Sequence, residues 1–320
     1  MPDSLRRFLS QRTFAFALTL AVVLLIAEAI EQPSFFDPGN AAQELATLAP
    51  FAILAMASTP AILSGGGGLD LSIGPLATLV NCIFVTWLLP HGLGGAVSIP
   101  IVLVIGAGIG AVNGLLVAVL RYQPVIATLC VFFILAGLAE KIAPTPTPSS
   151  ANWTVHLGGD VGPIPGALLT IAFPILVWAL LRRTAFHRLL MAVGGDDAAA
   201  FSAGVDVARI RIAAYALGGV FAAVGGMALT ALLQTSSAAL STEYALIALA
   251  GVALGGTPIG GGRGGMIGSL LGAVCIFMLQ QFLSSAGVSS DYLQLVYGVM
   301  LIAGILLSTR YRSLGKRVTA

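Results

Sequence analysis

Ten apolar runs, most of them close to twenty residues long, leave this chain few ways to fold. They cover about 13–30, 44–63, 69–89, 96–120, 124–141, 164–181, 208–233, 243–257, 264–284 and 290–308. A helix of about 20 such residues crosses the hydrocarbon of a bilayer, and only helices or closed barrels satisfy their own backbone there. Charges that could face water instead are scarce. They make up 9% of the residues against 58% hydrophobic, whereas soluble domains carry roughly a quarter as charge. Lipid is therefore the solvent, and the sequence predicts an all-α polytopic membrane protein. The expected fold is a single domain over residues 1–320 with about ten transmembrane helices. Residues 13–30 precede no small-residue cleavage site, so this run is expected to be a retained helix and not a signal peptide.

The Lys and Arg residues test that count, because cytoplasmic loops are enriched in them. With the N-terminus inside, Arg6, Arg7 and Arg12 are cytoplasmic, as is Arg121 between the fourth and fifth runs. Arg182, Arg183, Arg188, Arg209 and Arg211 flank a long central loop, and Arg263 sits in a glycine-rich turn. Arg310, Arg312, Lys316 and Arg317 lie in the tail. All share one side and Lys141 alone falls on the other, which puts both termini in the cytoplasm. The external loop, about 142–164, overlaps the Pro-rich segment APTPTPSSANWTVHLGGDVGPIPG, residues 143–166, which has no Lys or Arg. It reads either as a plain connector or as an ordered rim for an external partner.

Two glycine-rich stretches interrupt the apolar pattern. SGGGGLDLSIG, residues 64–74, carries Asp70 and Ser72 where a helix restarts. There a carboxylate or hydroxyl can satisfy free backbone N–H groups. The other reading has Asp70 lining a hydrophilic path, because carboxylates inside a membrane are costly and usually functional. LGGTPIGGGRGG, residues 254–265, likewise precedes an outward-going run. Broken helices in corresponding positions of two halves point to a transport path, with Gly67, Gly68, Gly255 and Gly256 as hinge candidates. Ladders of Gly106, Gly110 and Gly114 and of Gly264, Gly268 and Gly272 put small residues on one helical face for close packing in lipid.

Catalytic chemistry finds no foothold. A phosphate loop needs G-x-x-x-x-G-K-[ST], but Arg263 is followed by glycine and Gly315–Lys316 by Arg317. His91, His156 and His187 are scattered without metal spacing, and no Ser/His/Asp set converges on one place. Cys82, Cys130 and Cys275 lie inside apolar runs with no pairing or ligand pattern. No catalytic or metal-binding residue is expected, and no nucleic-acid partner. The informative polar segment is the central loop, about 182–210. A Gly194–Gly195 break is followed by Asp196 and Asp197, an Ala-rich turn with Ala199 and Ala200, and a stop at Gly204. That is the pattern of a short surface helix, either simply solvated or acting as a lever against a partner.

Four stretches in order resemble the permease family of bacterial ABC importers for ribose and other sugars, itself related to branched-chain amino acid permeases. They are SGGGGLDLSIG, NGLLVAVLRYQPVIATLCVFFILAGLA (residues 113–139), AVGGDDAAAFSAGVDV and LGGTPIGGGRGGMIGSLLGA. The resemblance implies a non-enzymatic, pore-forming subunit in the bacterial inner membrane. It would work as a dimer with a second copy or a homologous permease and receive a small sugar from an extracytoplasmic binding protein. A separate cytoplasmic ABC ATPase would drive it, docking on residues 192–207 and holding the ATP and Mg²⁺, so that this chain binds no cofactor. Asn113 and Thr128, at matching motif positions, join Asp70 and Ser72 as pathway or hinge candidates. Departures also stand out: Val125, Cys130 and Ala136 replace the family's Phe, Gly and Arg, and Phe201 stands where Arg is common. Residues 245–250 read ALIALA where the family often has Glu-Leu-Asp-x-Ile-Ala, which leaves room for a heterodimer. The competing reading is an ion-coupled secondary transporter. It requires a titratable group near the bilayer midplane; Asp70 is its candidate, while Glu28, Glu140, Glu243 and Asp291 lie near run ends.

Overall fold

Glycine and proline set where the apolar runs begin and end, and the helices follow the runs closely. The structure, a computed structural model, describes residues 12–149, 153–289, 292–293 and 295–302. Its helices are α1 (Arg12–Glu31), α2 (Ala41–Leu63), α3 (Ile73–Ile83), α4 (Ser98–Ala118), α5 (Pro124–Ile142) and α6 (Thr154–Gly158). They continue as α7 (Ala167–Leu181), α8 (Ala185–Gly195), α9 (Asp197–Ser202), α10 (Val207–Leu233), α11 (Ser241–Leu254) and α12 (Met266–Ser285). A two-residue hairpin, β1 (Asp160–Val161) with β2 (Ile164–Pro165), separates α6 from α7. Residues 295–302 are also helical. Arg6, Arg7, Arg310, Arg312, Lys316, Arg317, Asp291 and the end of the tenth run lie outside the described residues.

Among the described residues, five helices are long and apolar enough to cross a membrane alone: Pro38–Leu63, Ser98–Ala118, Pro124–Ile142, Val207–Leu233 and Met266–Ser285. The α7–α8 pair, bent by 87°, adds a sixth when it is counted as one span. Helix α3, which runs on through a π-turn at Phe84–Leu88, and α11 are shorter apolar helices. This is an all-α, multi-pass membrane protein. Helix α8 is the element the sequence left as loop. Leu190, Val193 and Gly194 are buried on one of its faces while Arg188 and Ala192 stay exposed, so it lies across the end of the bundle as an amphipathic helix.

Helix α2 is the central post, buried without interruption from Ala49 to Leu63. Without a hydrophobic drive between helices in lipid, close backbone approach has to hold the bundle, and the glycine ladders supply it. Gly106, Gly110 and Gly114 of α4 face Gly219, Tyr215 and Ile212 of α10. Gly268 and Gly272 of α12 interlock with Gly255 and Gly251 at the end of α11. A Cβ on Gly110 would run into the Tyr215 carbonyl, a backbone atom that cannot step aside. Gly110→Leu should therefore lower the thermal unfolding midpoint of the detergent-solubilised chain, by an overpacking cost of about 1–3 kcal/mol. An unchanged midpoint would contradict this packing.

The Pro-rich loop is ordered where described. The Thr147 N–H donates to Ser236 Oγ and the Ser236 N–H returns to the Thr147 carbonyl, both at 2.9 Å. The Ser149 N–H donates to the Gln234 carbonyl at 2.8 Å. Asn81 of α3 reaches the same corner, donating to Thr230 Oγ1 at 2.9 Å and to the Thr235 carbonyl at 3.1 Å, and accepting from the Ser237 N–H at 3.0 Å. One end of the bundle is thus tied together by loops, and the broken helices gather at the other.

Candidate hinge and coupling site

Between α2 and α3 the backbone runs from 64 to 72 without a helix, and side chains from two other helices hold it in place. Asp70 is 2% exposed. Its Oδ1 accepts from the Ser72 N–H at 2.9 Å and from the Ser72 hydroxyl at 2.7 Å. Asn113 of α4 donates to Ser72 Oγ at 2.7 Å and lies 3.4 Å from the same Asp70 oxygen. Thr128 of α5 accepts from the Leu71 N–H at 3.2 Å while donating to the Pro124 carbonyl at 2.9 Å. Four residues singled out in the sequence, from three separate runs, therefore meet at one helix restart.

The capping expectation needs correcting in its detail. Ser72 occupies the N-cap position of α3, but its side chain makes no capping bond. Its hydroxyl turns back to Asp70, and Asp70 closes an Asx-turn on the Ser72 N–H instead of reaching the free donors of the first turn. Tertiary partners hold the restart. The cluster also keeps spare hydrogen-bonding capacity, for Asn113 Oδ1 and the Tyr215 hydroxyl are buried without a partner among the described residues. Thr128→Val leaves the Leu71 N–H unpaired, a loss of about 1–3 kcal/mol. Amide exchange at Leu71 should accelerate in that variant and stay near wild type in Thr128→Ser.

The second glycine-rich stretch is built differently. Gly255 packs against Gly268 and makes no bond to the Asp70 cluster, while Gly256 makes the turn at φ +81°. Thr257 Oγ1 accepts from the Gly265 N–H at 3.2 Å and steadies the way into α12. Of the first-stretch candidates, Gly67 borders open space and Gly68 lies against the Ala61 carbonyl. A small apolar cavity of about 60 Å³ separates the two stretches, lined by Leu69 on one side and by Thr257 and Ile259 on the other. It has room for a few water molecules at most.

The central-loop residues form a short helical segment packed against both stretches. Asp196 caps α9 by accepting from the Ala199 N–H at 2.9 Å, and Asp197 stands in its first turn. Ala200 is buried, Ala199 and Phe201 face outward, and Gly204 ends the segment at φ +83°. Just before this, Gly194 sits where three backbones meet. A Cβ there would collide with the Leu63 carbonyl and come within 2.6 Å of the Gly262 nitrogen. Gly65 lies against Gly194, Gly262 lies against Gly195, and the Gly262 N–H donates to the Leu63 carbonyl at 3.2 Å. Sequence reasoning missed Gly65, Gly262 and Arg211 as members of this site. Arg211 served there only as a marker of sidedness, yet it pairs with Asp197 at 2.8 Å. A groove of about 960 Å³ opens beside α9, between Arg121 and Gln123 at the α4–α5 corner and Phe201 on α9.

Comparison with known proteins gives this arrangement a context. The family model described as branched-chain amino acid transport system / permease component matches residues 40–305. The ribose import permease protein RbsC of Bacillus subtilis (strain 168) is 33% identical over 300 residues, covering 90% of each chain. The ribose import permease protein RbsC of Escherichia coli (strain K12) is 31% identical over 92% of this chain and 93% of its own. The fructose import permease protein FrcC of Rhizobium meliloti is 30% identical over 95% of this chain and 87% of its own. No solved structure matches. The family match spans both glycine-rich stretches and the central loop.

Proposed function

Because this chain belongs to the branched-chain amino acid transport system / permease component family, we propose that it is the membrane permease subunit of an ATP-driven, binding-protein-dependent importer of a small sugar. The observation that carries this reading is similarity to ribose import permeases along nine-tenths of the chain. In this reading the chain has ten spans, both termini lie in the cytoplasm, and the membrane is the bacterial inner membrane. Helices α8 and α9 then face the cytoplasm, where an ABC ATPase with its ATP and Mg²⁺ pushes on residues 192–207. The ordered loop at the far end faces the binding protein. A second copy, or a homologous permease, completes the path.

The geometry supplies a means of working. An importer has to alternate between sides, which calls for helices that can break and restart at fixed places. Here two such breaks lie on either side of a small apolar cavity, and the lever is rooted in both. Asp70 positions one restart, and the chain itself needs no chemistry.

Ribose uptake by vesicles tests the assignment, with the chain reconstituted beside its ATPase and an external binding protein. Uptake should require both ATP and the binding protein and should persist when ionophores collapse the ion gradients. Uptake that ignores ATP and vanishes with an ion gradient would establish the secondary-transporter reading instead.

A further inference from the structure

We infer that Arg211 is a positioning residue that fastens α9 to the first hinge, so that displacement of α9 carries residues 64–66 with it. The inference rests on the reading of α9 as the driven lever. Arg211 lies in the second turn of α10, yet its guanidinium reaches two other elements. One terminal nitrogen is 2.8 Å from Asp197 Oδ2 in the first turn of α9. The Nε makes a long bond, 3.5 Å, to the Ser64 carbonyl. Between these contacts the group lies against Gly66, where a Cβ would come within 2.8 Å of a guanidinium nitrogen. Gly66 itself has φ +64°, so this face of the hinge is open only because no side chain stands there.

The arrangement suits transmission better than stability. Asp197 is half exposed, and an ion pair of that kind contributes little to folding. What the guanidinium does offer is a planar fork that holds two partners at a fixed separation, which a lysine ammonium cannot do. The contact also continues inward. Tyr215 is one helical turn beyond Arg211 on the same face of α10, and its carbonyl is the surface on which Gly110 of α4 rests. Asn113, one turn beyond Gly110, holds Ser72 and Asp70. Lever, hinge loop and helix restart are thus joined through packed groups, and at Arg211 a single side chain spans the Asp197 carboxylate and the Ser64 carbonyl.

Hydrogen exchange on the full-length chain in lipid nanodiscs tests the fastening without any ATPase or cargo, so its failure is separate from failure of the transport assignment. Arg211→Gln should speed exchange of the amides of residues 64–68 about fivefold and leave residues 106–114 unchanged. Asp197→Asn, a surface change that does not threaten the fold, should speed the same hinge amides about twofold. If Arg211→Gln speeds exchange throughout the chain, Asp197→Asn decides: a hinge-confined increase supports the fastening, and none overturns it. An unchanged hinge in both variants overturns it as well. With the ATPase and ribose present, both variants should raise the ATP hydrolysed per ribose imported, Arg211→Gln by about fivefold. A merely structural defect would slow hydrolysis and uptake together and leave that ratio unmoved, which would overturn the positioning role.

Discussion

Gly194→Ala will cut ATP-driven sugar uptake by about tenfold or more, while Gly195→Ala, one residue further on, will be far milder. Alanine at 194 puts its methyl onto the Leu63 carbonyl and within 2.6 Å of the Gly262 nitrogen. Both are backbone atoms, and both belong to the bond that joins the two glycine-rich stretches. Close-packed backbone cannot absorb a methyl by changing a rotamer, so overpacking of about 1–3 kcal/mol falls on this three-backbone junction. A penalty of about 1.4 kcal/mol corresponds to a factor of ten in a conformational equilibrium. At Gly195 the corresponding position has no neighbour within 4 Å, and the glycine has no positive φ. Uptake should be compared at matched amounts of protein in the membrane. Two equally active variants would show that the three-backbone junction does not carry the motion.

That contrast also marks where the sequence stops being readable. Run boundaries foretell the helices closely: 124–141 becomes Pro124–Ile142 and 208–233 becomes Val207–Leu233, because length and hydropathy are local properties. The ladder of Gly106, Gly110 and Gly114 and the pair Gly268 and Gly272 are legible for the same reason, since four-residue spacing fixes a face before any partner is known. Gly264, by contrast, falls outside the helix, in the turn before α12 at φ +96°. The motif similarity picks out Asn113 and Thr128, and the structure places both on the Asp70 restart. The junction of Gly65, Gly194 and Gly262 leaves no such trace. Its contacts are backbone to backbone between distant loops, and glycine has no side chain whose pattern could reveal a partner. Arg211 is hidden differently: Asp197 lies 14 residues before it, across a loop, outside any helical spacing. Helix α8 escapes because only a few apolar positions between Arg183 and Gly194 mark its buried face.

The missing carboxylates of residues 245–250 take a physical meaning from the same packing. This segment of α11 lies against α3, where a Cβ on Gly74 would come within 2.5 Å of the Ala245 nitrogen and the Ser241 carbonyl. Apart from Leu246 its residues are buried. An acidic side chain among those buried positions would need a partner of its own, and the apolar run avoids that requirement. Polar chemistry at this end of the bundle is concentrated instead at the Asp70 restart.

Asp70→Ala should therefore lower sugar uptake by about tenfold or more, and Asp70→Asn should preserve most of it. Alanine removes the acceptor of the Ser72 N–H and of the Ser72 hydroxyl in a site that is 2% exposed. Each buried polar group left unpaired costs about 1–3 kcal/mol, and the loss falls on the N-cap residue of the restarted helix. Asparagine keeps an oxygen in the same place and still closes an Asx-turn, so it separates geometry from charge. If Asn fails as badly as Ala, the carboxylate's charge is needed in the path and the positioning role is insufficient. If Asn works and Ala does not, Asp70 is there to hold the break in shape. The short bonds from both donors of Ser72, with Asn113 held on the same hydroxyl, favour that second result.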